Sequence, residues 1–234
     1  MSKGIIIFSV ILVIGAIVML YSTRKNQADQ DKMDLSSATK KQESKDVKNV
    51  KSMITNGDYQ TNSEVSKIQW TGSAVGKAHT GHVLVKSGMI VFVDGAPQKG
   101  SLIIDMTSIA DNDLSGDMQS KLVSHLKSVD FFEVEKYPES QLVITESEKT
   151  DKEGVYHLTG SLTIKGITNN IEFDATISER SNEEITMSSR FDIDRTLWNV
   201  QYGSKKFIDR IGDQLVNDMI SFDVNLIGNI AKNN

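Results

Sequence analysis

From Asp58 to near the C-terminus, apolar residues recur at every second position, and this alternation leaves few folds open. Tyr156, Leu158, Gly160, Leu162 and Ile164 share one strand face, with His157, Thr159, Ser161 and Thr163 on the other. Ile171, Phe173, Ala175 and Ile177 repeat the pattern, as do Ile185, Met187, Ser189, Phe191 and Ile193. Ile68 and Trp70, then Leu102, Ile104 and Met106, then Leu142 and Ile144, mark further strands, and Ile220, Phe222, Val224 and Leu226 the last. Val83 and Val85 lead into Ser87-Gly88, which reads as a turn before Met89–Val93; Asp94-Gly95-Ala96-Pro97 reads as the next turn. Strands with one apolar and one polar face, joined by short turns, describe an antiparallel sheet closed on itself or folded onto a second sheet. At 234 residues the chain lies near the top of the range for one such domain.

The alternation breaks over Lys121–Pro138. Leu122, His125, Leu126 and Val129 fall at helical spacing, so a helix is expected from about Asp117. Asp130-Phe131-Phe132 ends it, and Pro138 biases Tyr137 away from helical angles. A second short helix is expected over 206–215, where Phe207, Ile208, Ile211 and Leu215 share a face.

Ahead of the strands, residues 5–21 form an uncharged apolar run at the short end for a membrane span. No A-x-A-like site follows it, so it reads as an uncleaved anchor, with a cleaved signal peptide as the alternative. Residues 24–57 are polar and cannot bury enough surface to offset their ordering entropy. As a flexible coil they have an end-to-end distance of roughly 30 Å. The chain thus divides into an anchor over 1–23, a linker over 24–57 and a domain over 58–232.

Charge narrows the partners. Residues 24–52 carry 8 basic and 5 acidic residues, whereas 53–234 carry 17 basic and 26 acidic, net −9. An acidic domain is a poor nucleic-acid binder, because phosphate neutralisation needs clustered lysine and arginine. The absence of cysteine excludes disulfides, thiol catalysis and a lipidated cysteine.

Catalytic patterns are thin. His79 and His82 stand three apart, and on a strand such residues point to opposite faces, so no metal site is read from them. His125 reads as a packing residue on the helix and His157 as solvated. No nucleophile elbow is present, and among Asp105, Asp111, Asp113, Asp192 and Asp194 nothing marks a working pair. Aromatic residues, by contrast, are spread through the whole domain. A barrel of eight strands either fills its interior with side chains or holds one ligand there, and periodicity does not distinguish the two.

Several motifs then stand in order: WTG at 70–72, HTGH at 79–82, Ser87-Gly88, IDMTSI at 104–109, SHLKSVDFFE at 124–133, Lys136-Tyr137-Pro138, LTGSLTIKGIT at 158–168 and RTLWNVQYG at 195–203. In these the chain from Asp58 to Ile230 resembles the YceI-like family of bacterial lipid- and polyisoprenoid-binding proteins. The resemblance implies an all-β fold: an extended, lipocalin-like antiparallel β-barrel of about eight strands, with one or two short helices and an apolar tunnel. It implies a non-enzymatic protein that carries a polyisoprenoid or quinone-like lipid, with no other cofactor and no catalytic residues. The candidate lining set is Trp70, Val83, Val85, Leu102 and Ile104 from early strands and Leu126, Phe131 and Phe132 from the helix and its exit. Leu158, Leu162, Phe173, Met187, Phe191 and Phe222 join them from later strands, and Trp198 and Tyr202 from the segment before the last one. His79, His82 and Arg195 are the candidate polar groups of the rim. The expected setting is the bacterial cell envelope, with the domain exported and tethered to the cytoplasmic membrane, or secreted if the leader is cleaved. Homodimerisation stays open. Two rival readings remain at this point: a filled barrel that binds a protein partner, and a hydrolase, which would need a histidine and carboxylate cluster beside a pocket.

Overall fold

The computed structural model describes residues 54–207 and 215–231; the expected anchor, most of the linker and positions 208–214 of the expected second helix lie outside them. Nine antiparallel strands follow one another: β1 (Gly57–Thr61), β2 (Lys67–Ala74), β3 (Lys77–Val93), β4 (Ala96–Asp111), β5 (Glu139–Lys149), β6 (Val155–Ile164), β7 (Ile167–Ser181), β8 (Glu184–Asp194) and β9 (Met219–Ile230). One helix, α1 (Gly116–Lys127), lies between β4 and β5, and a short 3₁₀ turn (Arg195–Trp198) follows β8.

The nine strands fill eight positions of a closed barrel. The ladder runs β2-β9-β8-β7-β6-β5-β4-β3 and returns to β2. β1 occupies the same position as β2, end to end with it: Thr61 pairs Gly228 and Lys67 pairs Asn225 on β9. The five intervening residues leave the sheet and are stitched back. Asn62 N–H donates to Ile227 O at 2.8 Å, and Ile227 N–H donates to the buried Ser66 hydroxyl at 3.0 Å, so a side-chain oxygen stands in for a ladder carbonyl.

The register divides the hairpins between two ends. The β2–β3 and β6–β7 turns, α1 and the 3₁₀ turn gather at one end, the mouth. The start of β1, the β3–β4, β5–β6 and β7–β8 turns and the end of β9 gather at the other. Lys165-Gly166 and Asp94-Gly95 both close two-residue hairpins with positive φ at each residue, the backbone that matches strand twist.

Two expected turns are corrected. Ser87-Gly88 is no turn: β3 runs through it as one strand of 17 residues, with a register shift between Val85 and Ser87. The bulge bends a long strand around the barrel. A Cβ at Gly88 would stand 2.5 Å from Thr61 Oγ1 and 2.7 Å from Leu102 Cδ1, so the position takes only glycine without repacking. Ala96-Pro97 is likewise not turn but the start of β4, with Pro97 opposite Phe92.

The interior is filled at the end away from the mouth. Tyr59, Phe92, Tyr156, Leu158, Ala175, Ile177 and Ile185 form a plug there, with Tyr59 and Phe92 edge to face at 5.2 Å. Both phenols reach backbone: Tyr59 Oη donates to Thr55 O at 3.2 Å and Tyr156 Oη to Gly95 O at 3.1 Å. Burial pushes the Tyr156 phenol above its ordinary pKa, which keeps it a donor.

Candidate functional site

Above the plug the barrel is hollow. A cavity of about 480 Å³ runs from the mouth to a floor made by Ile90, Ile144, Phe173 and Ile185. This resolves the choice that periodicity left open: one end is packed and the other is not. Most inward positions of the strands reach it, because alternate residues of every strand face the barrel axis.

Of the sequence-predicted residues, Trp70, Val83, Leu102, Ile104, Leu162, Phe173, Met187, Phe191 and Phe222 line the cavity from the strands. Leu126, Phe131, Phe132 and Tyr202 line it from the mouth. Val85, Leu158 and Trp198 do not. Leu158 faces inward but lies in the plug, and Val85 is buried among Val83, Leu102 and Ile104. Trp198 packs on Leu162, Ile164 and Ile193 and donates its indole N–H to Leu162 O at 2.9 Å, which ties the 3₁₀ turn to β6.

The histidines separate as strand geometry requires. His79 lines the cavity, while His82 alternates with the buried Gly81 and Val83 and meets Asn112 Oδ1 at 2.8 Å instead. Arg195 lines the cavity but is 2% exposed and largely committed to structure. Its Nε donates to Asn217 O at 3.0 Å, Nη1 to Val200 O at 2.6 Å and Nη2 to Val216 O at 3.1 Å, with Asp218 at 3.6 Å. Burial lowers its pKa, and the carboxylates of Asp218 and Asp194 oppose that. Arg195 therefore holds the mouth segment in place rather than standing free for a headgroup.

α1 covers the mouth. It buries no residue fully; Leu122, His125 and Leu126 turn toward the cavity, while Val129 lies beyond the helix and is 72% exposed. Ser128 ends the helix, its hydroxyl donating to His125 O at 2.8 Å. The chain then turns back so that Phe131 and Phe132 sit beneath the lid. The rings of His125 and Tyr202 lie 4.5 Å apart, Phe131 and Tyr202 5.3 Å apart, and Arg195 stands 5.9 Å above Phe131. This aromatic set bridges α1 to the segment after the 3₁₀ turn.

The sequence reading missed Ile68, Met106, Ile109, Leu142 and Leu226, all cavity-lining. The same two-residue alternation marks four of them; Ile109 stands three residues after Met106, where the register of β4 against β3 shifts. It also missed two polar atoms. Trp70 Nε1 and Ser140 Oγ, both on lining residues, are shielded from solvent and have no hydrogen-bond partner among the described residues. Trp70 is held by packing: its indole lies on Gly81 directly across the ladder, where a Cβ would come within 2.2 Å of the ring.

An imidazole and two carboxylates, His79, Asp111 and Asp113, also meet at the mouth. His79 Nδ1 is 2.9 Å from Asp113 Oδ2, and Thr80 N–H donates to Asp113 Oδ1 at 2.6 Å. The Thr80 amide, then His79, hold the Asp113 carboxyl below its ordinary pKa. This is the histidine and carboxylate cluster beside a cavity that a hydrolase would need; no serine or cysteine belongs to it.

The exposed apolar surface is uneven. Val75, Met118, Val129, Ile167, Leu197, Tyr202, Phe207 and Met219 stand at the mouth end, Val93 at the other, and Val65, Leu84, Met89 and Val143 between them.

The chain is similar to several proteins of known fold. A polyisoprenoid-binding domain from Saccharophagus degradans, implicated in plant cell wall breakdown, superposes with a TM-score of 0.58 at 12% identity, covering 76% of this chain and 100% of that one. BcnA of Burkholderia cenocepacia superposes with a TM-score of 0.58 at 20% identity, covering 71% and 98%. The YceI protein of Campylobacter jejuni gives 0.50 at 22% identity, covering 62% and 81%. No curated protein matches the sequence. Residues 59–227, nearly the whole barrel, match the family model of the YceI-like domain, and the chain belongs to that family.

Proposed function

We propose that the domain binds one long apolar lipid of the polyisoprenoid or quinone class, in a one-to-one complex, at the bacterial cell envelope. The observation that carries the reading is the cavity itself: about 480 Å³, walled by aliphatic and aromatic side chains, plugged at one end and lidded at the other. That size lies within the range of small-molecule sites. The polyisoprenoid-binding domain of Saccharophagus degradans has the same fold, which supports an isoprenoid chain as the occupant. Burial of roughly 0.8 kcal/mol per methylene would supply most of the affinity.

The lipid would enter and leave through the mouth. The apolar rim there suits contact with a bilayer, and the apolar run at 5–21 would tether the domain to the cytoplasmic membrane with the barrel exported. The domain is a carrier or a store in this reading, not an enzyme. Solvent extraction of the full chain purified from membranes, followed by mass spectrometry, tests it. An apolar chain in near-stoichiometric amount is expected. Recovery of no lipid, together with no uptake of a polyisoprenoid in vitro, overturns it.

A further inference from the structure

The His79, Asp111 and Asp113 set is not accounted for by an apolar cavity. The backbone forces it together. Gly81 on β3 pairs Asp111 at the end of β4, and Asn112 N–H donates to Thr80 O at 2.8 Å, folding the loop toward α1 back across β3. One ligand atom from each of the three side chains then lies within 4.8 Å of the others.

Asp111 is the decisive member. It is 3% exposed. Its Oδ1 accepts the Leu114 N–H at 2.7 Å, but Oδ2 is buried with no donor among the described residues. Native interiors leave few carboxylate oxygens in that state, and a bound ion or water is a common reason for one. Charge points to an ion. Among the described residues, neither Asp111 nor Asp113 forms an ion pair with lysine or arginine; Asp113 pairs with the imidazole of His79, and the Asp111 carboxylate lies beside them.

We propose that His79, Asp111 and Asp113 bind one divalent first-row cation, Zn²⁺ by preference, at the root of the lid loop. One imidazole nitrogen and two carboxylate oxygens are ligand types zinc takes, with water in a fourth position, whereas calcium seeks six to eight oxygens. Tetrahedral zinc ligands stand about 3.3 Å apart. His79 Nδ1 and Asp113 Oδ2, hydrogen-bonded at 2.9 Å, would part by only about 0.4 Å to reach that spacing, and Asp113 is half-exposed and able to turn. The ion would clamp the loop preceding α1 to β3. His79 also borders the cavity, so the site stands at its edge.

The test is calorimetric titration of Zn²⁺ into the full chain in detergent after chelator treatment, with melting followed in parallel. His157→Gln serves as the background, because His157 stands beside Asp174 and Glu172 on the surface and could bind the metal weakly. One Zn²⁺ per chain and a melting temperature that rises with zinc are expected. His79→Gln with Asp111→Asn should weaken binding about 30-fold or more, and His82→Gln should leave it within about twofold. Asn at 111 keeps an acceptor for Leu114; should that variant fail to fold, Asp113→Ala, in the loop, must produce the same loss. Absence of one-to-one zinc binding, or equal binding in the His79 and Asp111 variants, would show that Asp111 Oδ2 meets only a buried water and overturns the proposal.

Discussion

At the scale of single residues, the domain is distinguished by polar atoms left without partners inside an apolar wall. Trp70 Nε1 is such an atom. An unpartnered buried donor destabilises the free protein, and a ligand oxygen that accepts from it would recover the lost bond. Trp70→Phe is therefore expected to leave the melting temperature of the lipid-free barrel unchanged or slightly raised, while release of bound lipid quickens several-fold. Stopped-flow transfer to acceptor vesicles, set beside a melting curve, checks both halves. Inward parity made Trp70 legible in the sequence, as it did Ile104, Phe173 and Phe222. Parity carries no information about depth along the barrel axis. Leu158 and Leu162 sit on the same face of β6, yet one is in the plug and the other on the cavity wall. Nor could spacing join His79 to Asp111 and Asp113, because the loop that brings them together folds back through backbone hydrogen bonds.

At the scale of elements, plug and lid divide stability from access. Leu158→Ala in the plug should cost about 3 kcal/mol, measured by urea denaturation, with lipid capacity unchanged. Phe131→Ala with Phe132→Ala removes rings that each border the cavity. The double variant should speed lipid release about tenfold or more, while lowering the melting temperature less than two Phe→Ala changes in a packed core would. A large loss of stability with unchanged release would assign both rings to the core. The mouth has its own dependence on pH. Burial pushes the Asp194 carboxyl up, but the Lys206 ammonium and the hydroxyl and amide of Thr196 outweigh this and hold it below its ordinary value. A carboxyl with a lower pKa folded than unfolded adds stability that is fully present above the unfolded value, about 3.9, and is lost as pH falls through the folded value. The barrel should thus weaken below about pH 4, and Lys206→Met should shrink the difference in unfolding free energy between pH 7 and pH 3. Most strands were legible because each keeps a strict two-residue rhythm. Ser87-Gly88 misled for a physical reason: local turn chemistry and a bulge in a long bent strand call for the same residues.

At the scale of the whole molecule, closure explains the architecture. Eight strand positions leave no open edge, so one barrel hides its ladder without a second sheet. The broken position shared by β1 and β2 fixes where the chain arrives: it enters at Gly57, beside the plug and opposite the mouth. Under the proposed membrane tether, the leash would therefore join the barrel at the end away from its mouth. On that proposal, setting the mouth on the bilayer would need the leash to reach back along the height of the barrel. The 17 residues of β3, tilted as barrel strands are, put that height at about 40 Å. The 30 residues of 24–53 reach ~100 Å fully extended, ample for that height. Deleting residues 30–53 would leave about 20 Å of reach. Under the proposed membrane tether, that shortened protein should fold and load polyisoprenoid from detergent as before but fail to load from its own bilayer. Equal loading from both would mean that the leash length is indifferent to delivery, and that lipid reaches the barrel by another route.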